Sequence, residues 1–216
     1  MVNILSSTNS LINQFIAEIR DVEVQQNSLR FRENLERLGE LFAYEISKEL
    51  EFETREVVTS LGIAMVPMLK MYPVLAAILR AGLPFHRGFL NMFDKSENAF
   101  VSAYRKYHKD HSSTIQIEYA SVPDIEGKTL ILCDTMIATG ASVVLTYKEL
   151  LSHGKPKYTH IVTILASQEG LDYIKRNLPR KNISIWVGTV DDELTAQAYI
   201  VPGLGDAGDL AFGKKI

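Results

Sequence analysis

Apolar residues fall at helical intervals in two segments near the N-terminus and in short unbroken runs through the middle of the chain. In STNSLINQFIAEIRD (7–21), capping residues precede Leu11, Phe15, Ile16 and Ile19, which share one face and predict an amphipathic helix. A second stripe in LRFRENLERLGELFAYEISKEL (29–50) joins Phe31, Leu35, Leu38, Phe42 and Ile46. Such helices, with paired charges on the other face, are packing or dimer elements rather than catalytic ones.

The middle of the chain has a different pattern. Val74–Leu79, Ala99–Tyr104, Thr129–Cys133, His160–Ala166 and Ile183–Gly188 are short apolar runs rich in branched residues, as expected of strands covered on both faces. Helix-like segments (84–93, 142–154 and 170–178) follow the first, third and fourth runs. This alternation predicts βαβ units with right-handed crossovers, hence an α/β fold with a mainly parallel central sheet flanked by helices. No Pro/Gly/Ser-rich linker and no internal repeat divides the chain, so residues 1–216 are expected to form one domain. Its N-terminal helical segment would cover 1–52 and a C-terminal loop 195–216.

Composition narrows the function. The chain is 46% hydrophobic and 23% charged, as in ordinary globular proteins. A net charge of −3 gives no broad basic footprint for nucleic acid, so an anionic substrate would need local basic groups or a metal. Cys133 is the single cysteine, which excludes an intrachain disulfide and fits a reducing cytoplasm. With no signal-peptide pattern and no apolar run of spanning length, no membrane association is expected.

In parallel sheets, ligands bind beyond the carboxyl ends of the strands, so the residues after each strand are the candidates. In LILCDTMIATGASVV (130–144) the strand is expected to end at Cys133, with Asp134 at its lip and ATGAS turning into a helix. Small residues at Ala138, Gly140 and Ala141, hydroxyls at Thr139 and Ser142, and a helix N-terminus make a phosphate cradle, though neither a Walker loop nor a dinucleotide fingerprint. The same residues fit a plain capped strand–turn–helix equally well. Arg80, at the end of another strand, is placed to grip phosphate; taken alone it reads as a surface arginine. YIVPGLGDAGDLAF (199–212) is expected to be neither regular strand nor helix. Pro202 stiffens it, its three glycines are permissive, and Asp206 and Asp209 are free to face a cation. A fraying tail is the alternative, against which its apolar residues argue.

Together these loops resemble the uracil phosphoribosyltransferases, which have the type I phosphoribosyltransferase fold. The similarity lies in DTMIATGAS (134–142), ILRAGL (78–83), the pair Tyr104-Arg105, the FRE…G.L..YE pattern from Phe31 to Glu45, and above all YIVPGLGDAGD (199–209) followed by Phe212-Gly213. The resemblance implies a pyrimidine-salvage enzyme: uracil and 5-phospho-α-D-ribose 1-diphosphate give UMP and diphosphate, with Mg²⁺. It implies that Arg80, Arg105, Asp206 and the run Asp134, Thr135, Met136, Ile137, Ala138, Thr139, Gly140, Ala141 and Ser142 bind phosphoribosyl diphosphate. Ile200, Gly205, Asp206 and Ala207 would bind uracil, and Asp206 and Arg105 would serve catalysis, Asp206 meeting Mg²⁺ indirectly through the substrate diphosphate. It further implies a candidate GTP effector, as in some members. The residues themselves add two expectations: the single cysteine fits a cytoplasmic location, and apolar stripes on the first two helices, if exposed, suggest a homodimer or higher homo-oligomer.

The chain departs from the family pattern at several positions. Thr135 stands for the usual proline, Ala141 and Ala198 for glycines, Leu210 for a basic residue, and Pro84 and Arg87 for a glycine and an acid. These departures leave a weakly active or divergent paralogue as one alternative; the others are the same fold acting on another base and a nucleotide- and RNA-binding regulator. The stretch 105–119 is expected to be a hood over the site, with metal ligation by His108 and His111 disfavoured for want of a third ligand. Asp191–Glu193 is expected to be a solvated turn rather than a second acidic site, and Cys133 buried filler.

Overall fold

The computed structural model describes residues 2–107 and 113–215, with side chains for 2–103 and 116–215. In chain order its elements begin with β1 (Val2–Ile4), α1 (Leu11–Arg20), α2 (Ser28–Ser47), β2 (Phe52–Thr59), β3 (Gly62–Leu69) and β4 (Val74–Leu79). Next come α3 (Gly82–Met92), β5 (Asn98–Tyr107), β6 (Ser113–Ser121), β7 (Thr129–Ile137), α4 (Ala141–Leu150) and β8 (Tyr158–Ser167). The chain ends with α5 (Gln168–Asn177), β9 (Ile183–Asp191), β10 (Glu193–Leu194), β11 (Ile200–Val201) and α6 (Ala207–Phe212).

The main sheet has the order β1-β9-β8-β7-β4-β5-β6, parallel throughout except for β6, which returns antiparallel to β5. Successive side chains of a strand alternate between two helical layers, as the two-residue period requires. Leu75, Ile131, Cys133, Val162, Ile164 and Trp186 face α1, α2 and α3; Val74, Ala76, Leu130, Leu132, Ile161 and Ile185 face α4 and α5. Both faces are thus covered, and for that reason the strands read as unbroken apolar runs.

Local signals set the helix starts. Ser10 caps α1 in a box with Asn13, and the Asn27 side chain accepts the Arg30 N–H at 3.0 Å to open α2. The α2 stripe (Phe31, Leu35, Leu38, Phe42 and Ile46) and Ile16 and Ile19 of α1 are buried in the core, while Leu11 is exposed, so the stripes serve mainly as core and not as the dimer surface expected of them. The α2–α3 crossing is closer than side chains normally allow. A Cβ at Gly88 would lie 2.0 Å from the Glu36 carbonyl oxygen, and one at Gly39 2.2 Å from that of Phe85. Phe85 stacks edge-on with Phe42 and Phe89 beside this contact.

Two features depart from the expected pattern. β2 and β3 form a separate antiparallel hairpin, and most of its side chains, Val58, Leu61, Ile63 and Met65 included, are exposed. The terminal stretch, expected to hold no regular structure, contains β11, paired with β10, and the helix α6. Asp206 makes that helix possible by accepting the Asp209 N–H at 2.9 Å as its cap. Among the described residues, no helix is long and apolar enough to cross a membrane.

Gly88→Ala is expected to destabilise the fold by about 2 kcal/mol or more, because the clash is with backbone that has little room to yield. Thermal unfolding measures it; a melting temperature equal to the parent's would contradict the tight crossing.

Candidate active site

The sheet order reverses between β4 and β7: the chain runs outward from β4 to β5 and β6, then from β7 the other way to β8 and β9. Loops leaving the carboxyl ends of those two strands diverge and open a crevice, the usual ligand position in such sheets. Arg80 leaves β4 there, and β7 leads into residues 138–142. The start of α3 abuts β7: a Cβ at Gly82 would stand 3.0 Å from the Cys133 carbonyl oxygen.

β7 runs on to Ile137 rather than ending at Cys133, with Asp134 paired to Thr163 and Ile137 to Ala166 of β8. Asp134 is therefore a strand residue. The side chains of Thr135 and Ile137 are buried, which leaves only their backbone for a ligand. Ile137 belongs to the core, and the Thr135 hydroxyl is buried without a hydrogen-bond partner among the described residues. Gly140 then takes a left-handed conformation (φ 76°) and opens α4 without a side-chain cap on the helix. Thr139 Oγ1 comes only to 3.5 Å of the Ala141 N–H. The first backbone donors of α4 are thus left for a ligand, and the helix dipole favours an anion there. Ala141 lies in regular helix, outside the positive-φ residues, so its methyl costs no backbone strain.

The rear of this loop is fixed. Ser167 Oγ donates to the Ala138 carbonyl at 2.5 Å and accepts the Gly170 N–H at 2.9 Å as the cap of α5. Gly170 packs so closely that an added Cβ would sit 2.3 Å from that same carbonyl oxygen.

Asp134 carries the main electrostatic peculiarity. By surface area it is half-buried, yet protein atoms crowd its carboxyl, and this burial pushes its pKa up to about 7 against the pull of the Met136 and Thr135 N–H groups. Cys133 beside it is buried, and burial, with the Asp134 charge, raises its thiol well above the ordinary range, so it is inert filler as expected.

Arg80 is not a free surface arginine. Its Nη2 donates to Asp209 Oδ1 and to the Gly213 carbonyl, both at 3.1 Å, and its buried Nε has no partner among the described residues. The first turn of α6 therefore docks on the β4 loop. Ile200 is buried, Gly205 is exposed with φ 93°, Asp206 is half-buried and Ala207 is buried. Ala198 has φ 63°, a left-handed conformation in which a glycine would be unstrained. Leu210 packs against the core, where the resemblance expects a basic residue, and Arg87 pairs with Glu36 at 3.3 Å. Arg105 pairs by backbone with Ile115 in the β5–β6 hairpin; its side chain and the expected hood tip with His108 and His111 lie outside the described residues.

Sequence reasoning missed what holds the C-terminal segment. Asp191, expected in a solvated turn, is buried and forms a two-point ion pair with Arg20 at 2.7 and 2.9 Å. Arg32 Nη1 donates to the Ala211 carbonyl at 2.7 Å. These partners lie 171 and 179 residues apart, and no spacing rule connects them. The one available signal was the basic residue closing α1.

A doubly covered, mainly parallel sheet whose order reverses at β4 and β7 has the architecture of the type I phosphoribosyltransferase fold. The fold matches, over 100% of both chains, a solved protein of Aquifex aeolicus at a TM-score of 0.87 and 31% identity. A hypoxanthine phosphoribosyltransferase of Staphylococcus aureus shares the fold at a TM-score of 0.51 and 17% identity, over 87% of this chain and 84% of its own. The profile described as uracil phosphoribosyltransferase matches residues 6–214. A protein named uracil phosphoribosyltransferase from Porphyromonas gingivalis is 53% identical over 98% of each chain. One of the same name from Pyrococcus furiosus is 36% identical over 95% of this chain and 87% of its own. The chain belongs to the uracil phosphoribosyltransferase family.

Because the Asp134 pKa is raised in the fold, from 3.8 to about 7, the folded state binds the proton more tightly than the unfolded chain. The associated stability is fully present below pH 3.8 and is lost as pH rises through about 7. Asp134→Asn is therefore expected to raise the melting temperature most above pH 7, with the gain shrinking toward pH 4. Unfolding curves across that range check it; a gain independent of pH would contradict the assignment.

Proposed function

We propose that this chain is a pyrimidine-salvage enzyme that transfers the phosphoribosyl group of 5-phospho-α-D-ribose 1-diphosphate to uracil, giving UMP and diphosphate. One observation carries the reading: the Arg80–Asp209 contact sets the segment 199–209, with its family sequence, against the crevice that holds the open α4 N-terminus. The names of the relatives support it.

In this reading the backbone of 138–142 holds the 5-phosphate and Asp134 accepts hydrogen bonds from the ribose hydroxyls. Arg80 and Arg105 bind the diphosphate, and Arg80 trades part of its contact with Asp209 for the leaving group. Backbone groups of Ile200, Gly205 and Ala207 read the polar edge of uracil, and Asp206 lies toward the ribose. Breaking the C1–O bond builds positive charge on ribose and negative charge on diphosphate. The protein's task is thus to stabilise the leaving group and to place the base nitrogen, without a strong nucleophile of its own. A backbone donor and acceptor set for uracil leaves cytosine's amino group facing the wrong partner.

Among the described residues there is no cluster of three or more His, Cys, Asp or Glu that would cage a metal. Single carboxylates such as Asp206 fit a Mg²⁺ ion held mainly by substrate phosphates and water. Bound there, Mg²⁺ would neutralise charge on the departing diphosphate. We also place the enzyme in the cytoplasm, on its single buried cysteine, and count GTP as a candidate effector. A homodimer or higher oligomer is favoured by the hairpin β2–β3, where Val58 is 84% and Leu61 98% exposed.

Purified protein with Mg²⁺ is expected to release diphosphate only when uracil is present, with and without GTP as parallel arms; failure to form UMP would overturn the reading. Arg105→Ala should raise the KM for phosphoribosyl diphosphate more than that for uracil, and Asp206→Asn should cut kcat by roughly tenfold or more. Equal losses for both substrates, or wild-type turnover, would remove these two assignments. Placing charge on the hairpin by Leu61→Asp with Ile63→Lys should shift light-scattering mass toward the monomer; an unchanged mass would exclude the hairpin as the contact.

A further inference from the structure

Gly203 sits at the centre of the segment proposed to read the base, between Ile200 and Gly205. Its φ is 56°, and a Cβ there would lie 2.1 Å from the Ile200 carbonyl oxygen, so the turn is tight. Both polar groups of this residue are held by side chains. Asp191 Oδ2 accepts the Gly203 N–H at 3.0 Å, and Arg20 Nη1 donates to the Gly203 carbonyl at 3.1 Å. The same arginine grips Asp191 in two-point fashion through Nη1 and Nη2. Arg20, Asp191 and Gly203 therefore close a ring of hydrogen bonds that fixes the orientation of the peptide groups on either side of the turn. A flanking contact extends it: with its amide nitrogen turned inward, Gln25 donates to the Leu204 carbonyl at 2.9 Å and to that of Ile19 at 3.1 Å.

The location matters as much as the bonds. Asp191 ends β9, two strands from β7 and on the far side of β8 from the phosphate loop. Arg20 ends α1, where a cation also complements the helix dipole. Neither residue belongs to the β4 and β7 loops that would take phosphoribosyl diphosphate. A largely buried ion pair is a poor source of stability compared with apolar packing, but it holds geometry well when every donor and acceptor is matched. Reading a small planar base by backbone groups needs that kind of control, since an error of about 1 Å in position is costly.

We infer that Arg20 and Asp191 are positioning residues for nucleobase recognition, acting through the Gly203 peptide groups and not through the phosphoribosyl site. This rests on the proposed function, in which residues 200–207 read uracil.

The test uses the full-length protein with Arg20→Ala, Arg20→Lys, Asp191→Asn and Asp191→Ala, and the KM of each substrate measured separately. The two alanine variants are expected to raise the uracil KM by about tenfold or more and to leave that for phosphoribosyl diphosphate within about twofold. Asp191→Asn keeps an acceptor for the Gly203 N–H and should fall between wild type and Asp191→Ala. Unchanged uracil KM, or both KM values rising together, would overturn the inference. So would loss of fold in every variant including the isosteric Asp191→Asn, since the pair would then be structural only. Amide exchange over residues 199–207, expected to speed up in Arg20→Ala, reads the brace without turnover, and unchanged exchange would overturn it. A wild-type protein inactive with uracil sinks the proposed function instead, so the two failures are told apart.

Discussion

Val74–Ala77 run beside Leu130–Cys133 in a parallel ladder, joining two strands that are far apart in the chain. Everything in the candidate site depends on that pairing. It puts the reversal of strand order at β4 and β7, so the loop bearing Arg80 and the loop bearing Gly140 leave the sheet side by side and then part. The crevice is a product of topology. The side chains only decide what enters it.

A site of this kind faces conflicting electrostatic demands. The chain is net acidic, yet its proposed substrate carries a phosphate and a diphosphate. The structure answers locally: an uncapped α4 directs backbone donors and dipole at one end, and Arg80 stands at the other. Asp134 is crowded enough to hold its proton near neutrality, so this carboxyl adds less negative charge than its residue type suggests. The Arg80–Asp209 contact, in turn, ties the loop after β4 to the C-terminal segment proposed to read the base.

The terminal segment shows how rigidity is made without a long element. β10–β11, the cap of Asp206 on α6 and the Gly203 turn are each small. They are held from outside by Arg20, Gln25 and Arg32, all from the N-terminal helices or the turn between them. Those helices also cover one sheet face, with Gly39 and Gly88 letting α2 and α3 approach closely. One N-terminal unit thus builds the core and supports the opposite end of the chain.

The sequence alone determined the sheet strands from Val74, Ala99, Thr129, His160 and Ile183 onward, because strands covered on both faces are apolar at most positions. It determined the amphipathic helices by their period and the family by the loops. It did not show β1, three residues at a sheet edge, or the β2–β3 hairpin, whose apolar residues meet no core. The helix α6 was hidden by Gly208 and by a cap, Asp206, that looks like a ligand-facing acid. Only the tertiary structure decided that Asp191 is buried rather than solvated, that the Thr135 side chain is buried, and that Arg80 meets Asp209. A residue's own sequence neighbours fix its local conformation, but its charge partners come from whichever strands and helices the fold brings within hydrogen-bonding distance.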